Sequence, residues 1–118
     1  GGVVAYSDDV KRGELDVPAE ILAADGAVSA EAAEAMARGA RERRGADVAV
    51  AVTGMAGAGG GTAEKPVGLV YLHAEGPDGG TGREFSFPGD RDSIRARSTV
   101  GALHLVRRLL TRSRDEVV

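Results

Sequence analysis

The sequence contains no cysteine and no tryptophan, and only two Phe and two Tyr. Without cysteine there are neither disulfides nor thiolate metal sites. The same absence fits a reducing compartment, so a cytoplasmic location is expected. With aromatics at 3% of residues, the core must be built from Ala, Val and Leu. Histidine occurs only at positions 73 and 104. Two imidazoles so far apart give little support to a metal site, and both read as structural or surface residues. Lysine is also scarce: Lys11 and Lys65 stand among fifteen basic residues. The net charge is −3 and the pI about 5.4. That is not the basic footprint of a nucleic-acid binder. No apolar run has the length of a membrane-spanning helix, and no charged-then-apolar leader opens the chain. A chain of 118 residues reads as one domain or most of one.

Glycine is abundant, and it is concentrated in Thr53-Gly54-Met55-Ala56-Gly57-Ala58-Gly59-Gly60-Gly61-Thr62-Ala63-Glu64-Lys65-Pro66-Val67-Gly68. The apolar run Val48–Val52 leads into this stretch, and the apolar run Val67–Ala74 leads out. A glycine loop between two strands costs entropy and lets another group approach the backbone. Two readings follow: a loose connector, or a site where backbone N–H groups meet an anion. The common phosphate motifs do not fit. A dinucleotide fingerprint beginning at Gly57 and Gly59 would require Gly or Ala where Thr62 stands. A P-loop beginning at Gly54 would require Lys where Gly60 stands. Both motifs also open a helix, whereas this stretch runs into a strand.

The rest of the chain alternates helix and strand signals. Gly1–Tyr6 reads as a short interior strand, and its abrupt start implies residues upstream. Ser7 or Asp8 caps a short helix that Gly13 weakens, and Pro18 opens another turn or two, closed by Gly26. Ser29 caps a helix that runs to Arg44 and stops at Gly45, with Ala33, Met36, Ala37 and Ala40 on one face. Asp47–Val52 then reads as a strand, reached by a crossover onto a parallel sheet. Val67–Ala74 and Arg83–Phe87 read as a hairpin with a loop longer than two residues. Asp90 or Asp92 caps a last helix to about Arg112, with Ile94, Gly101, Leu105 and Leu109 as its buried stripe, widened by Ala102, Val106 and Leu110. These elements predict an α/β domain: three layers, α-β-α, around a mixed sheet.

Two clusters follow strand ends, where open α/β sheets place ligands. One is the glycine loop with its polar rim of Thr53, Thr62, Glu64 and Lys65. The other is Tyr6, Ser7 and Lys11. A lysine partly removed from water can serve as a general base, although an exposed helix lysine is the ordinary alternative. Ser7 reads locally as an N-cap. Arg91 opens a helix, where a cation opposes the dipole; an anionic ligand would explain the placement, and a solvated surface arginine is the alternative.

In order and spacing, several segments resemble the CinA C-terminal domain family. They are Gly1-Gly2-Val3-Val4-Ala5-Tyr6-Ser7, Lys11, Gly26-Ala27-Val28-Ser29, Gly45-Ala46-Asp47, the Thr53–Gly68 loop and Pro88-Gly89-Asp90-Arg91. The resemblance covers nearly the whole chain, 1–118, and implies a nicotinamide-nucleotide amidase. Such an enzyme, a step in NAD salvage, hydrolyses nicotinamide mononucleotide to nicotinate mononucleotide and ammonia. It implies a serine nucleophile with a lysine base, no metal, no cofactor and frequent homo-oligomers. Lys11 matches the family lysine, Tyr6 the tyrosine beside it, Thr53 the polar residue at the loop entry and Arg91 a phosphate partner. With Ser7 and the loop glycines Gly54, Gly57, Gly59 and Gly60 as substrate contacts, these form the expected site. The family's serine lies in a Glu-Ser-Cys-Thr-Gly-Gly motif that this sequence does not contain, so the nucleophile is expected upstream, and the chain reads as a domain lacking its first strand. A non-catalytic module that binds a nucleotide or a protein partner is the alternative. Asp8 stands for a usual Asn, Glu14 and Asp16 for Leu and Gly, Met55 for Ile, Leu69 for Thr, and Ala58 and Ala63 for two prolines.

Overall fold

Strand β2 (Leu69–Gly76) is the centre of the molecule, buried along nearly its whole length. It pairs antiparallel with β1 (Ala49–Gly54) on one side and with β3 (Gly79–Ser86) on the other. The computed structural model describes residues 1–57 and 61–116. Four helices complete it: α1 (Asp8–Leu15), α2 (Ala19–Ala24), α3 (Ala30–Arg44) and α4 (Arg91–Glu116). None of the described helices is long and apolar enough to cross a membrane.

Strand pleating divides the core. Val70, Leu72 and Ala74 of β2 point toward α4, where Ile94, Ala102, Leu105 and Leu109 meet them. On the other face, Ala51 packs with Met36 and Ala37 of α3 and with Leu15 and Val17. Helices therefore cover both faces, and the α/β three-layer class holds. The sheet itself differs from expectation: among the described residues it is antiparallel throughout. The parallel partner expected in Gly1–Tyr6 forms no ladder. That segment runs beside β1 with a groove between them, so its backbone is out of reach of a neighbouring strand. Val3 and Ala5 are nevertheless packed on the α1–α3 core.

Local chemistry accounts for most helix ends. Ser7 Oγ accepts from Val10 N at 3.2 Å and starts α1. Ser29 Oγ accepts from Ala32 N at 3.1 Å and starts α3, which Gly45 ends at φ 60°. Asp90 Oδ1 accepts from Ser93 N at 2.9 Å, and this backbone donor holds the Asp90 carboxyl below its usual range. The last helix extends four residues beyond the expected Arg112, and Leu110 faces outward, outside the buried stripe. The hairpin turn is tighter than expected. Gly76 pairs with Gly79, so only Pro77 and Asp78 lie between the strands, and Gly79 and Gly80 belong to β3.

Two glycines have steric reasons that composition does not reveal. A Cβ on Gly39 would lie 1.6 Å from the Leu15 carbonyl oxygen, so α1 sits on α3 at a distance only glycine allows. A Cβ on Gly80 would lie 2.5 Å from His73 Nε2 and 2.7 Å from the Glu75 carboxylate. His73 and Glu75 are buried on the α3 face, with His73 Nε2 3.1 Å from Glu75 Oε1 and Arg38 Nε donating to the same oxygen at 3.0 Å. Burial raises the Glu75 carboxyl, but the bonds from His73 and Arg38 outweigh it and hold the group below its usual range.

Asp16 ends α1 in the left-handed region at φ 53°, alone among the described non-glycine residues. A left-handed non-glycine residue costs about 1–2 kcal/mol, less for Asp than for most. Asp16 also pairs with Arg43 at 3.4 Å, an exposed contact worth little. Asp16→Gly is therefore expected to stabilise the fold by about 0.5–1 kcal/mol. A urea melt checks this; a lower midpoint would show that the ion pair outweighs the strain.

Candidate functional site

A groove of 820 Å³ separates Gly1–Tyr6 from the free edge of β1. It runs along residues 48–54 to the point where the glycine loop departs. Lys11 enters it from α1. The side chain is buried, and Nζ donates to the Ala5 carbonyl at 2.8 Å. No carboxylate pairs with it among the described residues. Two of the three ammonium donor positions are thus left for other partners. The amine owes its place to the packing of α1 on α3 through Gly39, not to a parallel neighbour of β1.

Thr53 closes the opposite wall. It is buried at the end of β1, and its hydroxyl donates to Ala27 O at 2.6 Å. Two further side chains fix the same turn. Ser29 Oγ donates to Gly26 O at 2.8 Å, and Lys65 Nζ donates to Asp25 O at 2.7 Å. Lys65 thereby ties the far arm of the glycine loop to the α2–α3 connection. Its own turn is closed by Lys65 N donating to Thr62 Oγ1 and Thr62 N donating to Lys65 O, both at 3.0 Å. The loop base continues the sheet: Met55 N donates to Leu69 O at 2.9 Å and Gly68 N to Met55 O at 2.7 Å. Gly68, at φ 98°, lets Phe87 N reach its carbonyl, and a Cβ there would lie 2.2 Å from Phe87 O.

The structure gathers Tyr6, Lys11, Thr53 and Gly54 on one groove. Tyr6 is 83% exposed at its rim. Gly54 lies so close to β2 that a Cβ would meet Val70 Cγ2 at 2.8 Å. Ser7 does not line the groove; its hydroxyl caps α1. Gly57 and Arg91 sit together beyond the groove's end, with a Gly57 Cβ position 3.8 Å from Arg91 Cβ. Gly59 and Gly60 lie outside the described residues. Arg95 and Arg44 also line the groove. Arg95 follows Arg91 by four positions, one helical turn on, and that spacing was the available signal. Arg44 is partly neutralised by Glu14 at 3.1 Å. Among the described residues, the charged groups of the lining are thus all cationic: Lys11, Arg44 and Arg95. A groove walled by valines and alanines and charged in this way favours an anion with a flat or apolar part.

Residues 1–110 match the CinA C-terminal domain. The chain belongs to the CinA C-terminal domain family. A CinA-like protein of Mycolicibacterium paratuberculosis is 54% identical over 116 residues, covering 94% of this chain and 27% of its own length. A CinA-like protein of Desulfotalea psychrophila is 50% identical over 110 residues, with coverages of 93% and 27%. The chain thus spans about a quarter of the length of these CinA relatives. Among solved structures, the competence/damage inducible protein CihA from Agrobacterium tumefaciens superposes with a TM-score of 0.87 at 44% identity. The match covers 90% of this chain and 66% of that one. A CinA superfamily protein from Escherichia coli superposes with a TM-score of 0.83 at 33% identity, covering 88% and 60%. The chain therefore shares both sequence and fold with the family of competence/damage-inducible proteins.

Proposed function

We propose that this domain supplies the substrate groove and the general base of a nicotinamide-nucleotide amidase. The observation that supports this reading best is the groove's charge: among the described residues every charged side chain lining it is a cation, and one of them, the buried Lys11, has no carboxylate partner there. Nicotinamide mononucleotide offers a flat apolar ring, a carboxamide and a phosphate dianion. In this reading the ring lies along the β1 valines and the carboxamide faces Lys11. The phosphate meets Arg95 and Arg91, neighbours one turn apart on α4. In its neutral amine form, Lys11 Nζ takes the proton of a serine hydroxyl carried ahead of Gly1. The serine oxygen attacks the carboxamide carbon, and ammonia leaves with the proton returned from Lys11. Water then releases the nicotinate nucleotide from the serine ester. Thr53, already bonded to Ala27 O, positions the loop entry and does not transfer a proton.

Calorimetry on this chain tests the groove. Nicotinamide mononucleotide is expected to bind, and Arg91→Gln with Arg95→Gln to weaken it by about tenfold or more, the value of a lost charge-assisted contact. The same double variant should leave the affinity for nicotinamide riboside, which lacks the phosphate, unchanged. Equal losses for both ligands would remove the phosphate assignment, and no binding of either would remove the amidase reading of this groove. Binding without ammonia release, in a polypeptide that carries the serine motif, would favour the second reading, a nucleotide-binding or partner-interaction module.

A further inference from the structure

A second groove, of 460 Å³, lies on the opposite side of the molecule between α4 and the free edge strand β3. Its floor is apolar. Phe85 and Phe87 stack there with ring centroids 5.0 Å apart, beside Leu105 and Gly101. Gly101 keeps the floor low: a Cβ there would touch Leu72 Cδ1 at 3.1 Å. Arg83, Arg97 and Arg108 rim the groove, and among the described residues no carboxylate lines it. Arg97 and Arg108 form no ion pair among the described residues. Val100, 54% exposed, forms part of the lining.

We propose that this groove docks an acidic amphipathic helix of a partner protein. Its dimensions favour a helix over a small anion. Arg97 and Arg108 are about 16 Å apart along α4 at 1.5 Å per residue, the length of three helical turns. A small anion would reach one of the arginines and leave Val100 and much of the apolar floor in water. A second copy of this chain is disfavoured on this face, because pairing α4 with α4 would bring arginines against arginines. An apolar stripe at i, i+3, i+4 and i+7, flanked by carboxylates near both ends, answers the floor and the rim together.

Fluorescence anisotropy with a labelled 18-residue peptide, Leu at those spacings and Glu on the flanks, tests this on the whole chain. A peptide with the same Leu face and Lys flanks is the comparison. The Glu peptide is expected to bind at least about tenfold more tightly than the Lys peptide, and to lose that advantage in high salt. Val100→Glu should weaken the Glu peptide by about tenfold or more. The paired change Arg97→Gln and Arg108→Gln, on exposed positions that leave the core intact, should erase the difference between the two peptides. Equal binding of both peptides by the unchanged chain would overturn the proposal, as would binding indifferent to Val100→Glu. It would also be overturned by octanoate competing at the peptide's own affinity, or by sedimentation showing a dimer that Val100→Glu dissociates.

Discussion

Lys11→Ala, in a polypeptide that carries the serine motif ahead of Gly1, is expected to lower kcat for ammonia release by about 10²–10⁴-fold, the contribution of a positioned general base. KM should change far less, because the phosphate contacts assigned to Arg91 and Arg95 are untouched. The substitution leaves the Ala5 carbonyl without the bond it accepts at 2.8 Å, so a stability loss of about 1–2 kcal/mol should accompany the kinetic effect. The two effects separate experimentally. Lys11→Arg keeps a cation and a donor to Ala5 but presents a group that does not give up its proton, so the fold should recover and turnover should not. A primary amine added to Lys11→Ala should restore part of the rate, with a pH dependence that follows the added amine. Full turnover in Lys11→Ala would remove Lys11 as the base, and loss of folding in Lys11→Arg would make it a structural residue.

Gly39→Ala carries the largest expected effect on stability. In an exposed helix this change would gain about 0.5–1 kcal/mol. Here the new methyl would lie 1.6 Å from the Leu15 carbonyl oxygen and 2.5 Å from its carbon, both backbone atoms that move only with α1. Overpacking of this kind costs typically 1–3 kcal/mol, and the severity of the overlap places the net loss at about 2–3 kcal/mol. For a domain of this size each kcal/mol shifts the melting temperature by roughly 4–8 °C, so a fall of about 10 °C or more is expected by differential scanning calorimetry. Because α1 carries Lys11, the variant should also lose ammonia release at temperatures where it is still folded. A melting temperature equal to or above that of the parent would show that α1 separates from α3 at no cost.

These residues also mark what could be read from the sequence. Helix ends were legible wherever a side chain closes its own turn: Ser7, Ser29 and Asp90 cap as their positions predict, and Gly45 stops α3. Strands β1 and β2 were legible from apolar runs, but the run Gly1–Tyr6 forms no ladder and strand direction was not legible. The alternation of helix and strand signals pointed to a parallel pairing, whereas the ladder that forms joins β1 to β2 across the glycine loop. Glycine carried the least readable information. Gly39 resembles any weak helix residue until Leu15 is placed against it. Gly80 resembles turn chemistry until the side chains of His73 and Glu75 are seen to occupy its space. Of the candidate site, Lys11 and Thr53 could be singled out because both follow apolar runs. Arg95 could not, because its role depends on where α4 begins relative to the groove.

The α2–α3 connection is held by two donors from distant points of the chain, Thr53 to Ala27 O and Lys65 to Asp25 O, and by a local one, Ser29 to Gly26 O. Such stitching merges segments into one opening unit. In hydrogen–deuterium exchange the amides of residues 25–29 and those at the base of the glycine loop should therefore share one rate, although some forty residues of chain separate Lys65 from Asp25. A turn that would otherwise fray on its own becomes a latch, and a nucleotide seated between Lys11 and Thr53 would slow the exchange of both segments together.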